Sequence, residues 1–160
     1  MPRLTLTGLT RFPLLPLLLL TLMLGLLGCE QPPAVVEGPE AEALAALRYP
    51  GQTEHGPDLD IVVVRKGNQI TLTNRTAHSY RDMQLWINQQ YVRMIDEVRI
   101  GTNEPIPLTS FVNRHREAFP VGSFLQPEKA RPVISAELFD PKANVRYRLT
   151  VQPDNETLRL

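Results

Sequence analysis

The chain has 160 residues, with 17 basic and 17 acidic side chains and a formal net charge of zero. This balance lacks the basic excess that nucleic-acid binding calls for, so no nucleic-acid partner is predicted. A single cysteine excludes an internal disulfide framework. The length suits one folded domain with additional segments.

The first 28 residues have the pattern of an export signal. Arg3 and Arg11 form a basic start, and a leucine-rich stretch follows over residues 12–27. A membrane-spanning helix needs about 20 apolar residues, whereas this stretch is shorter and contains Pro13 and Pro16. The pattern therefore favours a cleaved signal over a transmembrane anchor.

The end of this signal, Leu26-Leu27-Gly28-Cys29, resembles the lipobox of bacterial lipoproteins. The resemblance implies cleavage between Gly28 and Cys29, lipidation of Cys29 and attachment to a membrane of the bacterial cell envelope. Two or more acyl chains would hold the chain stably. Glu30 follows the cysteine, where aspartate best retains lipoproteins in the inner membrane, so the resemblance implies an outer membrane, facing the periplasm, in an organism with two membranes.

Residues 29–57 are predicted to be a flexible tether. Prolines and glycines are frequent between Glu30 and Pro57, and large apolar residues are few. A random coil of this length reaches about 30 Å. Residues 40–48 interrupt it with a helical pattern in which Leu44 and Leu47 share a face. Isolated helices this short are marginal, so we expect the segment to dock on the domain, dock on a partner or fray, the first and last being favoured.

From residue 58 onward the pattern changes to short strands. Apolar or β-branched runs occur at Ile61–Val64, Ile70–Thr73, Met83–Ile87, Tyr91–Val98, Pro105–Phe111, Ile134–Leu138 and Val145–Val151. Gly67-Asn68 is typical of a tight hairpin turn between the first two runs. Prolines favour an edge position for the fifth run. About seven strands without repeated helices predict an all-β fold, a single antiparallel β-sandwich over residues 58–153, with a tail over 154–160.

The same region resembles small immunoglobulin-like or fibronectin type III-like domains of envelope proteins. The residues that carry this resemblance are Leu72–Asn74, Asp82–Asn88, Tyr91, Ile95, Gly101, Leu108, Phe111, Gly122 and Phe124. It implies an immunoglobulin-like strand arrangement. Since the chain has no disulfide pair, a domain of the antibody type is excluded.

One long irregular segment, residues 111–132, offers a candidate contact site. We expect Phe111, Phe119 and Phe124 to close one end of the sandwich as a lid. The tip of this lid carries Arg114, His115 and Arg116, which are candidates for partner contact.

Trp86 is the other candidate contact residue. If Met83, Leu85 and Ile87 face the core, the period of two places Trp86 on the outer face of its strand. An outward tryptophan can anchor a protein or glycan partner. The alternative is an isolated surface side chain, or one on which an arginine stacks.

The remaining chemistry favours a protein that is not an enzyme. The three histidines lack metal-ligand spacing, and His78, Ser79 and Asp82 supply catalytic residue types only as neighbours in a turn. We therefore predict no cofactor and no metal site.

The leading hypothesis is a membrane-anchored envelope lipoprotein that binds another envelope component, protein or glycan. The alternatives are a small enzyme or metal-binding protein using residues 113–117, and an accessory domain that pairs through the edge at residues 105–109.

Overall fold

The computed structural model describes residues 34–122 and 130–153. The predicted signal, Cys29, Phe124 and the predicted tail lie outside the described residues. The elements are helix α1 (Pro39–Ala46) and strands β1 (Glu54–His55), β2 (Ile61–Lys66), β3 (Gln69–Asn74), β4 (Tyr80–Ile87), β5 (Tyr91–Val98), β6 (Gly101–Thr102), β7 (Ile106–Pro107), β8 (Ala136–Asp140), β9 (Val145–Arg148) and β10 (Thr150–Gln152). A 3-10 turn, Leu108–Ser110, follows β7.

The strands form two sheets, so the expectation of a mostly β fold is confirmed. The first sheet has the order β1-β9-β8-β4-β5, and the second has the order β10-β2-β3-β6, with β7 also paired to β3. Most neighbours are antiparallel, but β1 runs parallel to β9 and β10 runs parallel to β2. The prediction of an antiparallel sandwich is therefore wrong for these two strand pairs.

The hairpin of β2 and β3 forms as the sequence predicts. Lys66 pairs with Gln69 across the two-residue turn, and Gly67 has φ of 57°. This left-handed conformation is one that glycine adopts without steric cost, which explains why the turn lies there.

The two sheets contribute side chains to one main core. Its fully buried members come from both sheets and include Ile61, Val63, Ile70, Leu72, Met83, Leu85, Ile87 and Leu138. The alternation predicted for β4 is thus confirmed. Phe111 and Phe119 are also buried in this main core, so these two residues of the predicted lid are integral to it.

Two predicted strands differ from the observed ones for identifiable reasons. The run 145–151 divides at Leu149, which is buried and whose amide donates to the carbonyl of Ala136 at 3.0 Å. The chain crosses there from the first sheet to the second, so one predicted strand becomes β9 and β10. The run 105–111 keeps only β7 as a strand, at a sheet edge, before the 3-10 turn.

The segment predicted to be a tether is packed on the domain throughout its described part, residues 34–57, which we call the N-terminal segment. Its start pairs with the chain near Glu117 through a bridge at Val35, and α1 buries Ala41 and Leu44. Its end adds β1 to the first sheet. A Cβ on Gly56 would lie 2.7 Å from the ring of Tyr147, which shows how closely the two approach. A flexible tether over these residues is therefore a wrong prediction.

Among the described residues, we find no helix with the length and apolar character needed to cross a bilayer.

Candidate functional site

An open groove of about 480 Å³ lies where the N-terminal segment crosses the outer face of the first sheet. Its walls are the end of α1, the turn between β4 and β5, and the hairpin of residues 112–118. The lining residues are Leu44, Leu47, Arg48, Tyr49, Trp86, Gln89, Gln90, Val92, Val112, Asn113, Arg114 and His115. We call this the contact groove. Its volume lies within the range of about 300–1,000 Å³ that is usual for ligand sites.

Trp86 forms part of the floor of the contact groove. It lies on the outer face of β4, as predicted, but only 4% of its surface is exposed because α1 and Tyr49 cover it. The rings of Trp86 and Tyr49 meet edge to face with centroids 5.6 Å apart. Its indole Nε1 donates to Oε1 of Gln84 at 3.0 Å. Trp86 is therefore a packing residue under the N-terminal segment, and the expectation that its side chain is exposed is wrong.

Helix α1 forms one wall because its sequence favours a short helix at this point. Pro39 stands at the start of the first turn, a position that suits proline. Glu40 and Glu42 lie in the same turn, where acidic side chains complement the helix dipole. Ala41 and Leu44 are buried against Trp86. Docking on the domain was one of the alternatives left open by the sequence, and it is the one observed.

Arg48 closes the C-terminal end of α1. Its Nη1 donates to the carbonyl oxygens of Ala45, Ala46 and Leu47 at 3.0, 3.3 and 3.2 Å. A cation there satisfies carbonyls that have no partner within the helix and complements the negative end of its dipole. The same contacts hold an exposed guanidinium at the rim of the contact groove.

A buried polar network fixes the chain just beyond α1. Tyr49 donates its hydroxyl to Oε2 of Glu137 at 2.8 Å, and Arg146 Nη1 donates to the Tyr49 hydroxyl at 2.6 Å and to Glu137 at 3.2 Å. The pKa of Tyr49 is raised above the usual tyrosine value of 10.0. Burial is the largest cause, and the hydrogen bond to Glu137 and the negative charge of Glu137 add to it. Arg146 also lies over the Tyr49 ring, 5.4 Å from the centroid. The network ties the N-terminal segment to β8 and β9.

The hairpin of residues 112–118 is organised by Asn113. Oδ1 of Asn113 accepts from the backbone amides of His115 and Glu117 at 2.9 and 3.0 Å, and Nδ2 donates to Oε2 of Glu117 at 2.7 Å. Arg114 Nε donates to Nε2 of His115 at 2.9 Å. Arg114 and His115 therefore present a paired, exposed rim to the contact groove.

Arg116 does not belong to this rim. Its backbone has φ of 63° and its carbonyl accepts from the amide of Val36 at 2.8 Å. Arg116 therefore contributes to pairing with the N-terminal segment, and it is absent from the lining of the contact groove.

Asn88 fixes the third wall of the contact groove, which is the turn between β4 and β5. Asn88 and Gln89 have φ of 52° and 59°, a left-handed conformation that asparagine tolerates better than most residues. The Asn88 side chain accepts from the amide of Ile134 at 2.9 Å and donates to the carbonyl of Pro132 at 2.8 Å. Gln89 and Gln90 are left at the groove, with exposed amide side chains.

The contact groove is electropositive. Arg48, Arg114 and His115 line it, and no carboxylate does so among the residues that the structure describes. Within the same residues, neither arginine forms an ion pair. Glu117, the nearest acid in the hairpin, is bonded to Asn113. The arrangement can bind an anion.

The alternative of an enzyme or metal site in residues 113–117 requires His115 to converge with carboxylates. His115 does line a concave site, but its neighbours there are arginine and amide groups. In the described part of the chain, no group of three or more histidine, cysteine, aspartate or glutamate side chains is placed to hold a metal ion.

The structure thus brings Trp86 together with Arg114 and His115, which lie on a different part of the sequence. Sequence reasoning missed the wall supplied by Leu47, Arg48 and Tyr49. The available signal was the shared apolar face of Leu44 and Leu47, followed directly by an aromatic residue.

Comparison of the chain with protein-family models, with curated proteins and with solved structures gave no match.

Proposed function

We propose that the protein is a membrane-anchored lipoprotein of the bacterial envelope whose folded part is a non-catalytic, immunoglobulin-like binding module. In this proposal Cys29 carries the lipid, residues 1–28 are removed, and the domain faces the periplasm from the outer membrane. The lipobox-like Leu26-Leu27-Gly28-Cys29 supports the anchor. The observation that carries the binding role is the electropositive contact groove built from three separate parts of the chain.

The packed N-terminal segment shortens the reach of this module. The amide of Ala118 donates to the carbonyl of Ala34 at 3.0 Å, and Val36 donates to Arg116 at 2.8 Å, so the chain is bound to the domain from residue 34 onward. Ala34 lies five positions after Cys29, a span of at most about 17 Å. The partner must therefore lie closer to the membrane than a tether over residues 29–57 would allow.

Lipidation is tested by expressing the full chain in a two-membrane bacterium with an alkyne analogue of palmitate. We expect a labelled protein in the outer-membrane fraction, and loss of label and membrane association in Cys29→Ser. Glu30→Asp is the matched sorting control, because aspartate after the lipidated cysteine is expected to retain the protein in the inner membrane. A chain that stays unlabelled, or that keeps its label in Cys29→Ser, would exclude the anchor.

Binding is tested with a photoreactive amino acid at position 89, in the contact groove. The matched control carries it at position 142, at the opposite end of β4, where Lys142 pairs with Asp82. We expect a discrete envelope adduct from position 89 and none from position 142. Equal labelling from both positions, or none from either, would argue against a binding role for the groove.

A further inference from the structure

We propose that the contact groove binds a short peptide segment that carries a carboxylate next to an apolar side chain. This inference rests on the proposed binding function and names the class of its ligand. Three features of the groove carry it: two arginines that form no ion pair with a described residue, the exposed amide groups of Gln89 and Gln90, and a half-buried apolar wall.

The arginines select an anion. Arg48 stands at the α1 wall and Arg114 at the hairpin wall, and neither is neutralised by a described carboxylate. Arg48 uses Nη1 for the helix carbonyls, and Arg114 uses Nε for His115. Each guanidinium therefore keeps donors for a ligand, in the planar arrangement that suits a carboxylate.

The position of α1 favours a singly charged carboxylate over a phosphate. Phosphate sites commonly use the N-terminus of a helix, where backbone amides and the positive end of the dipole face the anion. Here the groove lies at the C-terminal end of α1, where Leu44, Leu47 and Arg48 line it. Because the C-terminal end of a helix carries partial negative charge, it opposes a dianion more strongly than a monoanion.

The amides and the apolar wall favour a peptide as the rest of the ligand. Gln89 is exposed, and neither its amide donor nor its acceptor bonds to a described residue. Gln90 uses only its carbonyl oxygen, which accepts from Arg131 at 2.8 Å. These groups can pair with a peptide N–H and C=O. Leu47 and Tyr49, which are partly buried, form an apolar surface beside them for a ligand side chain.

The test is isothermal titration calorimetry of the full lipidated chain, held in nanodiscs of neutral lipid, with tripeptides that are acetylated at the N-terminus and amidated at the C-terminus. The probe is Leu-Asp-Leu in this blocked form, with blocked Leu-Asn-Leu as its uncharged counterpart. We expect the acidic peptide to bind at least about fivefold more tightly, with an affinity that falls as salt is raised. Octyl phosphate and glucuronic acid, tested as competitors, represent the other anion classes. Equal binding of the two peptides, or stronger binding of either competitor, would overturn the proposal.

Variants then assign the binding to the contact groove. We expect Arg48→Gln and Arg114→Gln each to weaken binding of Leu-Asp-Leu by about fivefold. Arg75→Gln, an exposed arginine outside the lining, is the matched control and should leave binding unchanged. Arg114→Glu should reverse the preference toward Leu-Lys-Leu, a gain that misfolding cannot produce. An Arg114→Glu variant that still prefers the acidic peptide would contradict the assignment.

Failure of this inference is distinguishable from failure of the proposed function. If position 89 crosslinks to an envelope glycan and the tripeptides do not bind, the ligand class is wrong and the binding role stands. If position 89 yields no adduct and Cys29→Ser stays membrane-bound, the proposed function itself fails.

Discussion

Among the described residues, two apolar clusters hold this domain together, and they differ in how the sequence encodes them. The main core lies between the sheets and is filled by alternating residues of neighbouring strands, such as Leu85 of β4 and Leu72 of β3. The outer cluster lies on the other face of the first sheet and joins Trp86, Val92 and Val112 to Ala41 and Leu44 of α1. It exists only because the N-terminal segment returns to cover that face.

This difference locates the candidate site. The main core is filled by buried side chains from both sheets. The outer cluster is bounded by elements from three separate parts of the chain, and the contact groove is the space between them. Changes to the main core should therefore affect the whole fold, whereas changes to the outer cluster should affect first the groove and the N-terminal segment.

The largest effect is expected from Phe111→Ala in the main core. Phe111 is fully buried, and the substitution should lower the free energy of unfolding by about 3–5 kcal/mol because it removes apolar burial and leaves a cavity. Urea denaturation followed by circular dichroism measures this. Ile134→Ala is the control, since Ile134 is 74% exposed and should change stability by less than about 0.5 kcal/mol. Similar losses for the two variants would mean that Phe111 does not belong to the core.

The next largest effect is expected from the network of Tyr49, Glu137 and Arg146, which ties the N-terminal segment to β8 and β9. Glu137 and Arg146 have side chains only 7% and 13% exposed, so Glu137→Ala leaves a poorly solvated cation and should cost about 3 kcal/mol. Replacing both residues by methionine should restore much of this loss, because no unpaired charge then remains. Tyr49→Phe removes only the hydroxyl and should cost about 1 kcal/mol. A double variant as unstable as Glu137→Ala would show that charge pairing is not the cause.

A smaller and more local effect is expected from Leu44→Ala in α1. The helix is short and lies at the surface of the outer cluster, so we expect a loss near the lower end of the usual range, about 2 kcal/mol. Trp86 is the single tryptophan and lies beneath this helix, so its emission should shift to longer wavelength as α1 loosens. Trypsin should also cut after Arg48 sooner than in the wild type.

The matched control for this experiment is Ala43→Ser, on the exposed side of α1. It should leave both the emission of Trp86 and the rate of cleavage unchanged. If Leu44→Ala lowers global stability without any change at Trp86, the two regions unfold as one unit and the distinction between them fails.

The same distinction explains what the sequence could predict. The strands of the main core follow from local patterns: Met83, Leu85 and Ile87 alternate, and Gly67-Asn68 fixes a turn. The cover over Trp86 depends on contacts between residues about 40 positions apart in the chain, for which no local pattern exists. Proline and glycine content predicted a flexible tether from composition alone. Composition could not indicate that Tyr49 forms hydrogen bonds with Glu137 and Arg146, which lie far along the chain.

The smallest effect is expected from an ion pair far from both clusters, between Lys142 Nζ and Asp82 Oδ2 at 2.6 Å. The hydrogen bond from Lys142, and then its charge, lowers the pKa of Asp82 below its usual 3.8, and the same bond raises the pKa of Lys142 above 10.5. The contribution from Asp82 is therefore present above pH 3.8 and is lost as the pH falls through its lowered folded pKa. The contribution from Lys142 is present below pH 10.5 and is lost as the pH rises through its raised folded pKa.

Asp82→Asn isolates this pair, because asparagine tolerates the φ of 54° that Asp82 adopts. We expect a small drop in the urea midpoint at about pH 7 that disappears at about pH 2, where the aspartate of the wild type is protonated. Asp60→Asn, an exposed aspartate outside any ion pair of the described residues, should show neither change. Since both partners are mostly exposed, salt should screen the effect as well. If the urea midpoint of Asp82→Asn is still lower at low pH, the cause is the backbone conformation at position 82 and not the loss of the ion pair.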